Sequence, residues 1–502
     1  MPLSTTLANI AFAPRHAAIA RFMRDPFGVQ QRQLDWLLRC GAATRYGREY
    51  GMEGMRTVEQ FQQRVPVVDY ESAGELFLRA RAGEGDLLWP GKVRWFAKSS
   101  GTTSAVSKYI PVTQEGLHRI HLQGPRDVMI TYLHNYPRSK VLSGKLLTLG
   151  GSKKIEKEGE TAFSGDLSAI LIENTPRWAS RRRCPPPEVA LIPDFEQKID
   201  AICRSTVGRE VTSFAGVPSW NLVMLRRILQ YTGRANVLEV WPHMELFVHG
   251  GVNFAPYKAE YDRLFPSEAM HYMDTYNASE GFFSIEDVPG SGDMLLLLDY
   301  GQFYEFLPVD SLDDRSKAVP LEGVRTGVNY ALIVTSCNGL WRYMLGDTVC
   351  FTSTSPHRIR VTGRTKHYIN AFGEEVMIDN AEKAVAAAAR ATGARVAEYT
   401  VAPVYMSGGA KGAHQWVIEF AAPPPDPQAF MDEVDRNLQE LNSDYRAKRF
   451  RDTTLVGPLL TVVPAGTFMA WLAAQGKVGG QNKVPRLSND RTIVEQILKI
   501  EL

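Results

Sequence analysis

The chain has 502 residues, 44% of them hydrophobic and 22% charged, which is typical of a globular protein long enough for more than one domain. Lys and Arg total 57 against 55 for Asp and Glu, so the net charge of +2 gives no electrostatic indication of a nucleic acid partner. The five cysteines form no C-x-x-C pair, which argues against a disulfide framework and a cysteine-rich zinc site. We see no secretory signal, and no apolar stretch approaches the roughly 20 residues that span a bilayer. We therefore expect a cytoplasmic protein, monomeric by default, that binds neither nucleic acid nor membrane.

Helical patterns dominate the first eighty residues. Leu34, Leu37 and Leu38 recur at helical spacing within the segment QRQLDWLLRC, and Gly41 follows as a stop signal. This segment predicts an amphipathic helix near the N-terminus.

From residue 93 onward, short apolar runs alternate with glycine-rich turns and helical stretches. We predict a helix over 217–229 and strands over 246–249 and 270–276, the first strand ending at a pair of glycines. Such an alternation is typical of an α/β core.

A mostly β pattern follows between residues 294 and 349. The segment MLLLLDYGQFYEFLPV holds two apolar runs joined by Asp-Tyr-Gly, which predicts a hairpin. The segment NGLWRYMLGDTVCFTS predicts a strand, a turn at Gly346 and Asp347, and a second strand.

A domain boundary is predicted near Gly363 and Arg364. After it, an alanine-rich helix over 380–392 and smaller alternating strands and helices predict an α+β unit. We therefore expect a large N-terminal domain over 1–363 and a small C-terminal domain over 364–502.

The segment FAKSSGTTSAVSKYIPVT carries the strongest chemical signal. A polyphosphate needs many hydrogen-bond donors and a cation along a short path, and a glycine lets backbone N–H groups converge on an anion. The spacing is not that of a Walker A loop, and a surface loop rich in Ser and Thr is the alternative. The residues that would bind phosphate are Ser99, Ser100, Gly101, Thr102, Thr103 and Lys108.

The segment DTYNASEGFFSIED leaves a predicted strand and presents an aromatic ring, a hydroxyl and a carboxylate within five residues. Tyr276 could stack on a purine, Ser279 could donate to phosphate, and Glu280 could hold Mg²⁺. The alternative is a simple turn at the strand end, formed by Asn277 and Gly281.

Two further residues have possible roles at a nucleotide site. Asp347 could accept hydrogen bonds from both ribose hydroxyls, although a hairpin-turn aspartate is the alternative. Lys483, in the glycine-flanked segment GQNKVPRL, could reach a reacting carboxylate and phosphate from a mobile loop, although a solvated surface lysine is the commoner case.

In their order and content these motifs resemble the GH3 family of acyl-acid amido synthetases, a branch of the adenylate-forming superfamily. The resemblance runs from the first helix to the C-terminus through SSGTTSAVSKYIP, VWPHMELFVHGGVNFAPY, YNASEG, YMLGDTV, GRTKHYIN and QNKVPRL. The segment GRTKHYINAFGEEV is more similar to the bacterial than to the plant branch. The resemblance implies an α/β fold with a large adenylating domain, in which helices flank β-sheets beside a β-barrel-like portion, and a smaller mobile C-terminal domain.

The implied reaction uses ATP and Mg²⁺ and has two halves. A carboxylate first attacks the α-phosphate to give an acyl-adenylate and pyrophosphate. An amine, usually that of an amino acid, then attacks the activated carbonyl and releases AMP. A thiol acceptor, coenzyme A or a carrier protein, is one alternative, and a catalytically inactive nucleotide-binding relative is another.

The resemblance also implies roles for single residues. Lys483, Glu280 and Lys108 would be catalytic, with Glu280 positioning Mg²⁺; the residues that would bind the nucleotide are Ser99, Ser100, Gly101, Thr102, Thr103, Gly250, Gly251, Tyr276, Ser279, Asp347 and Arg364. Ala105 stands where the family usually has a second loop glycine, which changes the path of the loop if that position needs a positive φ. For the acyl pocket we consider Tyr132, His134, Val217 and Trp220.

Overall fold

Helices and strands alternate along most of the chain in the computed structural model, which describes residues 2–99, 108–149, 155–158, 161–192, 194–365, 368–408, 410–475 and 484–500. Within these residues the strands are β1 (Trp95–Ser99), β2 (Lys108–Val112), β3 (Lys145–Thr148), β4 (Glu156–Glu158), β5 (Ala162–Gly165), β6 (Arg183–Cys184), β7 (Val211–Gly216), β8 (Leu246–Gly250), β9 (His271–Asn277), β10 (Phe282–Ile285), β11 (Met294–Leu296), β12 (Gln302–Pro308), β13 (Val319–Pro320), β14 (Asn329–Ser336), β15 (Leu340–Thr354), β16 (His357–Arg364), β17 (Tyr368–Ile369), β18 (Val376–Met377), β19 (Arg395–Val404), β20 (Ala413–Ala422) and β21 (Leu459–Val463).

The α-helices of the same residues cluster before β1 and between the strands. They are α1 (Leu3–Arg24), α2 (Pro26–Gly41), α3 (Arg45–Glu49), α4 (Val58–Arg64), α5 (Tyr70–Arg81), α6 (Gln114–Gly116), α7 (Gln123–Asn135), α8 (Leu167–Glu173), α9 (Arg177–Ser180), α10 (Pro187–Ala190), α11 (Phe195–Thr206), α12 (Pro218–Thr232), α13 (Lys258–Leu264), α14 (Ile378–Thr392), α15 (Pro427–Leu441), α16 (Ser443–Arg449), α17 (Thr467–Ala474) and α18 (Thr492–Ile497). None of the helices in these ranges is long and apolar enough to cross a membrane.

A twelve-stranded sheet organises the larger part of the protein, in the order β13-β12-β14-β15-β16-β11-β10-β9-β8-β7-β3-β6. Its strands are antiparallel from β13 to β9 and parallel from β9 to β6. Parallel neighbours need a crossover, and α12 supplies the one between β7 and β8. The predicted α/β core is therefore confirmed.

The antiparallel half of this sheet is strongly curled. Tyr276 on β9 donates a hydrogen bond to Asp347 on β15, although β10, β11 and β16 lie between these strands in the sheet. Across a flat sheet, four inter-strand spacings would separate them by roughly 19 Å. The curl corresponds to the predicted barrel-like portion.

Two smaller sheets complete the architecture. In the first, ordered β2-β1-β5-β4, β1 and β2 form a hairpin whose last backbone pair is Ser99 and Lys108. In the second, ordered β19-β20-β21, the strands are accompanied by α14 and α15.

Most buried apolar side chains among the described residues belong to two cores. The first lies between the N-terminal helices and the antiparallel strands, and includes Leu34, Leu37 and Leu38 of α2 as predicted. The second joins α12, through residues such as Leu225, to the C-terminal strands, through residues such as Trp416. The C-terminal unit thus packs on the large sheet through apolar contacts.

Two predictions of local β structure are wrong. The segment 294–309 forms no hairpin, because β11 pairs with β10 and β16 whereas β12 pairs with β13 and β14. The segment around Gly346 does not turn back either, since β15 runs continuously from Leu340 to Thr354. Gly346 has a φ of +93° and interrupts the regular backbone within this strand.

An ion pair is buried where the first core meets the N-terminal helices. Arg342 is 4% exposed and Glu305 is 1% exposed. The guanidinium donates to both Glu305 oxygens at 2.8 and 2.9 Å and also to the carbonyl oxygens of Gln62 and Val65. The two buried charges are therefore stabilised by each other and by the hydrogen-bond partners that the fold brings to them.

Glu305→Ala should lower the free energy of unfolding by roughly 3–5 kcal/mol, because it leaves the Arg342 guanidinium buried without its carboxylate. Urea unfolding would measure the change. Glu440→Ala is the matched control, since it breaks an exposed pair with Arg436 and should leave the midpoint unchanged. Equal midpoints for the two variants would contradict the importance of the buried pair.

Candidate active site

Predicted site residues gather at the carboxyl ends of the parallel strands, which is where ligands bind in open α/β sheets. Gly250 ends β8 and Gly251 follows it. A Cβ atom at Gly250 would lie 2.4 Å from the Thr275 carbonyl oxygen, and Gly251 has a φ of +82°. Both positions therefore require glycine, which keeps the backbone of this strand end open to a close approach.

Asp347 is the centre of a hydrogen-bonded group. It is buried; its Oδ2 accepts from the Tyr276 hydroxyl at 2.8 Å, and its Oδ1 lies 2.9 Å from Arg364 Nε. Arg364 also reaches Glu375 at 3.5 Å. Burial and the Asp347 charge raise the pKa of Tyr276, so its hydroxyl stays protonated and donates.

Arg364 remains cationic in this group. Burial acts to lower the pKa of its guanidinium, but the charges of Glu375 and Asp347 outweigh burial, and the pKa is raised overall. Because Asp347 and Arg364 are also backbone partners on β15 and β16, the pair is positioned by both main chain and side chain.

Lys108 and Glu280 form a second pair of charged residues in the same region. Lys108 opens β2 and Glu280 follows β9, and both are buried. Burial lowers the pKa of Lys108, with the Glu280 charge opposing that change. Burial raises the pKa of Glu280 to about 7, although Lys108 acts in the other direction. These two desolvated charges are available to an incoming ligand.

The turn between β9 and β10 fixes the position of Glu280. Ala278 and Gly281 exchange backbone hydrogen bonds of 2.8 and 3.2 Å, and half-buried Ser279 lies within that turn. A Cβ atom at Gly281 would meet Gln302 Nε2 at 2.3 Å. The glycine thus allows the turn to pack against β12.

Comparison with known proteins supports the resemblance along nearly the whole chain. The GH3 family N-terminal domain matches residues 15–210 and 160–270, the central domain matches 295–364, and the C-terminal domain matches 379–492. The chain belongs to the GH3 family.

Several plant proteins are similar in sequence. Indole-3-acetic acid-amido synthetase GH3.4 of Arabidopsis thaliana is 24% identical over 93% of this chain and 90% of its own length. Jasmonoyl--L-amino acid synthetase JAR4 of Nicotiana attenuata is 22% identical over 65% of this chain and 67% of its own length.

Solved structures share the fold. The GH3.15 acyl acid amido synthetase superposes with a TM-score of 0.59 at 20% identity, covering 94% of this chain and 93% of that one. A 2-hydroxyisobutyryl-CoA ligase complex superposes with a TM-score of 0.56 at 14% identity, covering 94% and 91%. The fold is therefore that of adenylate-forming ligases.

In this GH3 family chain most of the predicted site residues lie close together, and the others fall outside the described residues. Those at the site are Lys108, Gly250, Gly251, Tyr276, Ser279, Glu280, Asp347 and Arg364, together with the backbone of Ser99. Ser100, Gly101, Thr102, Thr103, Ala105 and Lys483 lie outside the described residues, and their roles stay predictions.

Of the four residues considered for the acyl pocket, two lie near this site and two do not. Val217 would contact a Cβ atom on Gly251 at 3.6 Å, and Trp220 follows it in the first turn of α12. Tyr132 instead bonds His271 at the start of β9, five residues or roughly 17 Å of strand from Tyr276. His134 stacks on His16 at 3.8 Å. Tyr132 and His134 thus have their described contacts away from Val217, and the location of the acyl pocket stays a prediction.

Sequence reasoning missed a buried asparagine behind Glu280. Asn338 donates to the Glu280 carbonyl oxygen at 3.4 Å, contacts His121 Nε2 at 3.2 Å, and accepts from the Thr113 backbone. Burial lowers the pKa of His121 to about 4, so its ring is neutral. The Asn-Gly pair at 338–339 signals a turn, but no sequence feature indicates this contact.

The raised pKa of Glu280 makes stability depend on pH. The pKa of a Glu in an unfolded chain is near 4.3, so the folded protein binds this proton more tightly than the unfolded chain does. The free energy of unfolding therefore falls as the pH rises from about 4.3 through about 7. Glu280→Gln removes this contribution of Glu280 to the pH dependence of the free energy of unfolding. The unfolding free energy of the variant relative to wild type should rise by about 2 kcal/mol between pH 5 and pH 8.

Chemical denaturation at both pH values would measure this difference. The exposed Glu268→Gln is the control, because its difference from wild type should not follow the same profile. A difference for Glu280→Gln that does not vary with pH would mean that the carboxylate is ionised and solvated in the folded protein.

Proposed function

We propose that this chain is an ATP-dependent acyl-acid amido synthetase. It activates a carboxylic acid as the acyl-adenylate, releases pyrophosphate, and transfers the acyl group to the amine of an amino acid. The observation that carries the proposal is the joint presence of the Asp347 group and of buried Lys108 and Glu280 at the strand ends of a chain with three GH3 family domains.

The ribose end of ATP is assigned to Asp347. Each oxygen of its carboxylate already accepts one hydrogen bond or ion-pair contact, from Tyr276 and from Arg364. A carboxylate has about four lone-pair positions, so both oxygens can accept ribose hydroxyls while these contacts persist. Tyr276 and Arg364 thus orient the carboxylate before the nucleotide arrives.

The phosphate end is assigned to Lys108 and the adjoining hairpin. Among the described residues no carboxylate lies within ion-pair distance of the Lys108 ammonium, which instead sits 5.4 Å from the ring centre of Tyr70. A desolvated cation without a contact ion pair interacts strongly with an incoming anion. Its position beside Ser99 at the base of the β1–β2 hairpin supports phosphate binding.

Glu280 fits the requirements of a Mg²⁺ ligand. Mg²⁺ in nucleotide sites usually takes one or two carboxylates together with substrate phosphates, and the buried Glu280 carboxylate, with its pKa raised to about 7, gains most from a nearby dication. When bound there, the metal supplies Lewis-acid polarisation and charge neutralisation at the phosphates. Asn338 holds the backbone carbonyl of Glu280 and so helps to orient the side chain.

The second half-reaction is assigned to an amine. The curated relatives carry the names of an indole-3-acetic acid-amido synthetase and a jasmonoyl--L-amino acid synthetase, and these names favour an amino acid acceptor. The similarity to a 2-hydroxyisobutyryl-CoA ligase concerns the fold and keeps a thiol acceptor as the second candidate. The domain boundary at 363–364, a mobile C-terminal unit, a monomeric state and a cytoplasmic location stay predictions.

Pyrophosphate release from ATP and Mg²⁺ tests the function directly. A panel of carboxylic acids would be assayed alone, with mixed amino acids, and with coenzyme A. We expect release that depends on one acid and is accelerated by an amino acid, with the amide detected by mass spectrometry. Acceleration by coenzyme A alone would replace the amine with a thiol acceptor, and the absence of release with every acid would contradict the synthetase.

Lys483→Ala should slow adenylate formation at least a hundredfold while changing the dissociation constant of ATP less than threefold, if the loss of one transition-state charge contact is worth roughly 3 kcal/mol. Single-turnover adenylation and equilibrium ATP binding would separate the two effects. Lys499→Ala, at an exposed position of the same C-terminal region, is the control. Equal losses of rate and ATP affinity for Lys483→Ala would contradict a role confined to the reaction.

A further inference from the structure

The hydroxyl of Tyr343 is buried and has no hydrogen-bond partner in the part of the chain that the structure describes. Tyr343 is 1% exposed and lies on β15, four residues before Asp347. Among the described residues its oxygen has neither donor nor acceptor. A buried polar group without a partner is costly and uncommon, so this hydroxyl requires an explanation.

The backbone places this tyrosine beside the start of α5. Val68 and Tyr343 form a parallel bridge, with Val68 N donating to Arg342 O at 3.0 Å and Met344 N donating to Val68 O at 2.8 Å. α5 begins immediately after this bridge, at Tyr70. The ring of Tyr343 packs near Phe77 of the same helix, with 6.0 Å between ring centres.

The same helix start connects Tyr343 to Lys108. The hydroxyl of Tyr70 accepts from Tyr109 N at 3.0 Å, and the Lys108 ammonium lies over the Tyr70 ring. After burial, the charges of Glu280, Tyr70 and Glu71 contribute to a raised pKa of Tyr343, and Glu280 and Glu71 also act on Lys108. The ring of Tyr70 also lies 5.8 Å from that of Phe77, which packs near Tyr343, so contacts through α5 connect Tyr343 to the Lys108 ammonium.

The Tyr343 hydroxyl has no hydrogen-bond acceptor among the described residues, and no described carboxylate lies within ion-pair distance of the Lys108 ammonium. The carboxylate of Glu280, whose charge acts on both groups, accepts no hydrogen bond from the Tyr343 hydroxyl. A ligand that suits both donors must carry several negatively charged oxygens close together, which is the chemistry of a di- or triphosphate.

We propose that Tyr343 is a further phosphate-binding residue of this site, whose hydroxyl donates, together with Lys108, to the two terminal phosphates that leave as pyrophosphate. This proposal rests on the proposed function, because that function identifies the anion. As the bond between the α- and β-phosphates breaks, its electron pair passes to the pyrophosphate oxygen. A fixed hydroxyl donor there stabilises the charge without giving up its proton.

Tyr343→Phe tests the proposal, because it removes only the oxygen. Calorimetry would measure the affinities of wild type and variant for magnesium pyrophosphate, magnesium ATP and AMP. We expect the variant to bind pyrophosphate and ATP roughly 10- to 100-fold more weakly, the loss of one buried hydrogen bond to a charged acceptor. AMP affinity should not change, because AMP lacks the two terminal phosphates.

Tyr46→Phe is the matched control. Tyr46 is also buried, but the neighbours that affect the pKa of its hydroxyl are Tyr50, Glu49 and Arg342 rather than Glu280. This variant should bind all three ligands as wild type does. Tyr343→Phe should not lower the melting temperature of the ligand-free protein, since it removes no hydrogen bond to a described residue.

The outcomes separate this inference from the proposed function. Unchanged pyrophosphate affinity in Tyr343→Phe, or an equal loss of AMP affinity, would overturn the inference while leaving the function in place. An effect confined to the Michaelis constant of the carboxylic acid would also overturn it, by placing the hydroxyl at the acyl end. Wild-type protein that binds neither ATP nor pyrophosphate would overturn both.

Discussion

The hydrogen bond between Tyr276 and Asp347 is the contact on which the rest of the site depends. The two residues belong to β9 and β15, and three other strands lie between these two in the same sheet. The bond can therefore form only because the antiparallel half of the sheet curls back on itself. The curl brings the end of β9, and with it Glu280, beside β15. Arg364 then joins from β16 and completes the group around one carboxylate.

The curl of the antiparallel strands also buries the charged residues of the site. Lys108, Glu280 and Asp347 are each less than a tenth exposed, and burial is the largest influence on the pKa of the first two. In such surroundings electrostatic interactions are stronger than in water. Keeping Lys108 and Glu280 desolvated costs stability in the free protein, and the same desolvation favours a ligand that carries both phosphate oxygens and a metal ion.

Local sequence patterns predict the positions of helices and strands well, but they predict poorly which strands pair with each other. The helix after β7 and the strand ending at Gly250 both lie where apolar periodicity and neighbouring glycines predict them. These signals succeed because helix and strand formation depends largely on residues within one short segment. The hairpin over 294–309 failed, since strand pairing depends on the whole sheet. The sequence predicts a turn at Gly346, yet its positive φ is accommodated inside β15, at a register shift in the pairing with β14.

Motif order and spacing are enough to predict the alternation of helices and strands, the family, and the residue types needed for nucleotide chemistry, because these signals can be read along the chain without knowledge of the fold. Which of these residues come into contact depends on the folded structure. Folding joins Tyr276 to Asp347 across the curl and places Tyr132 beside His271 at the start of β9. It also buries the Tyr343 hydroxyl with no hydrogen-bond partner among the described residues. Burial and long-range pairing control these outcomes, and both arise from packing between segments far apart in the chain.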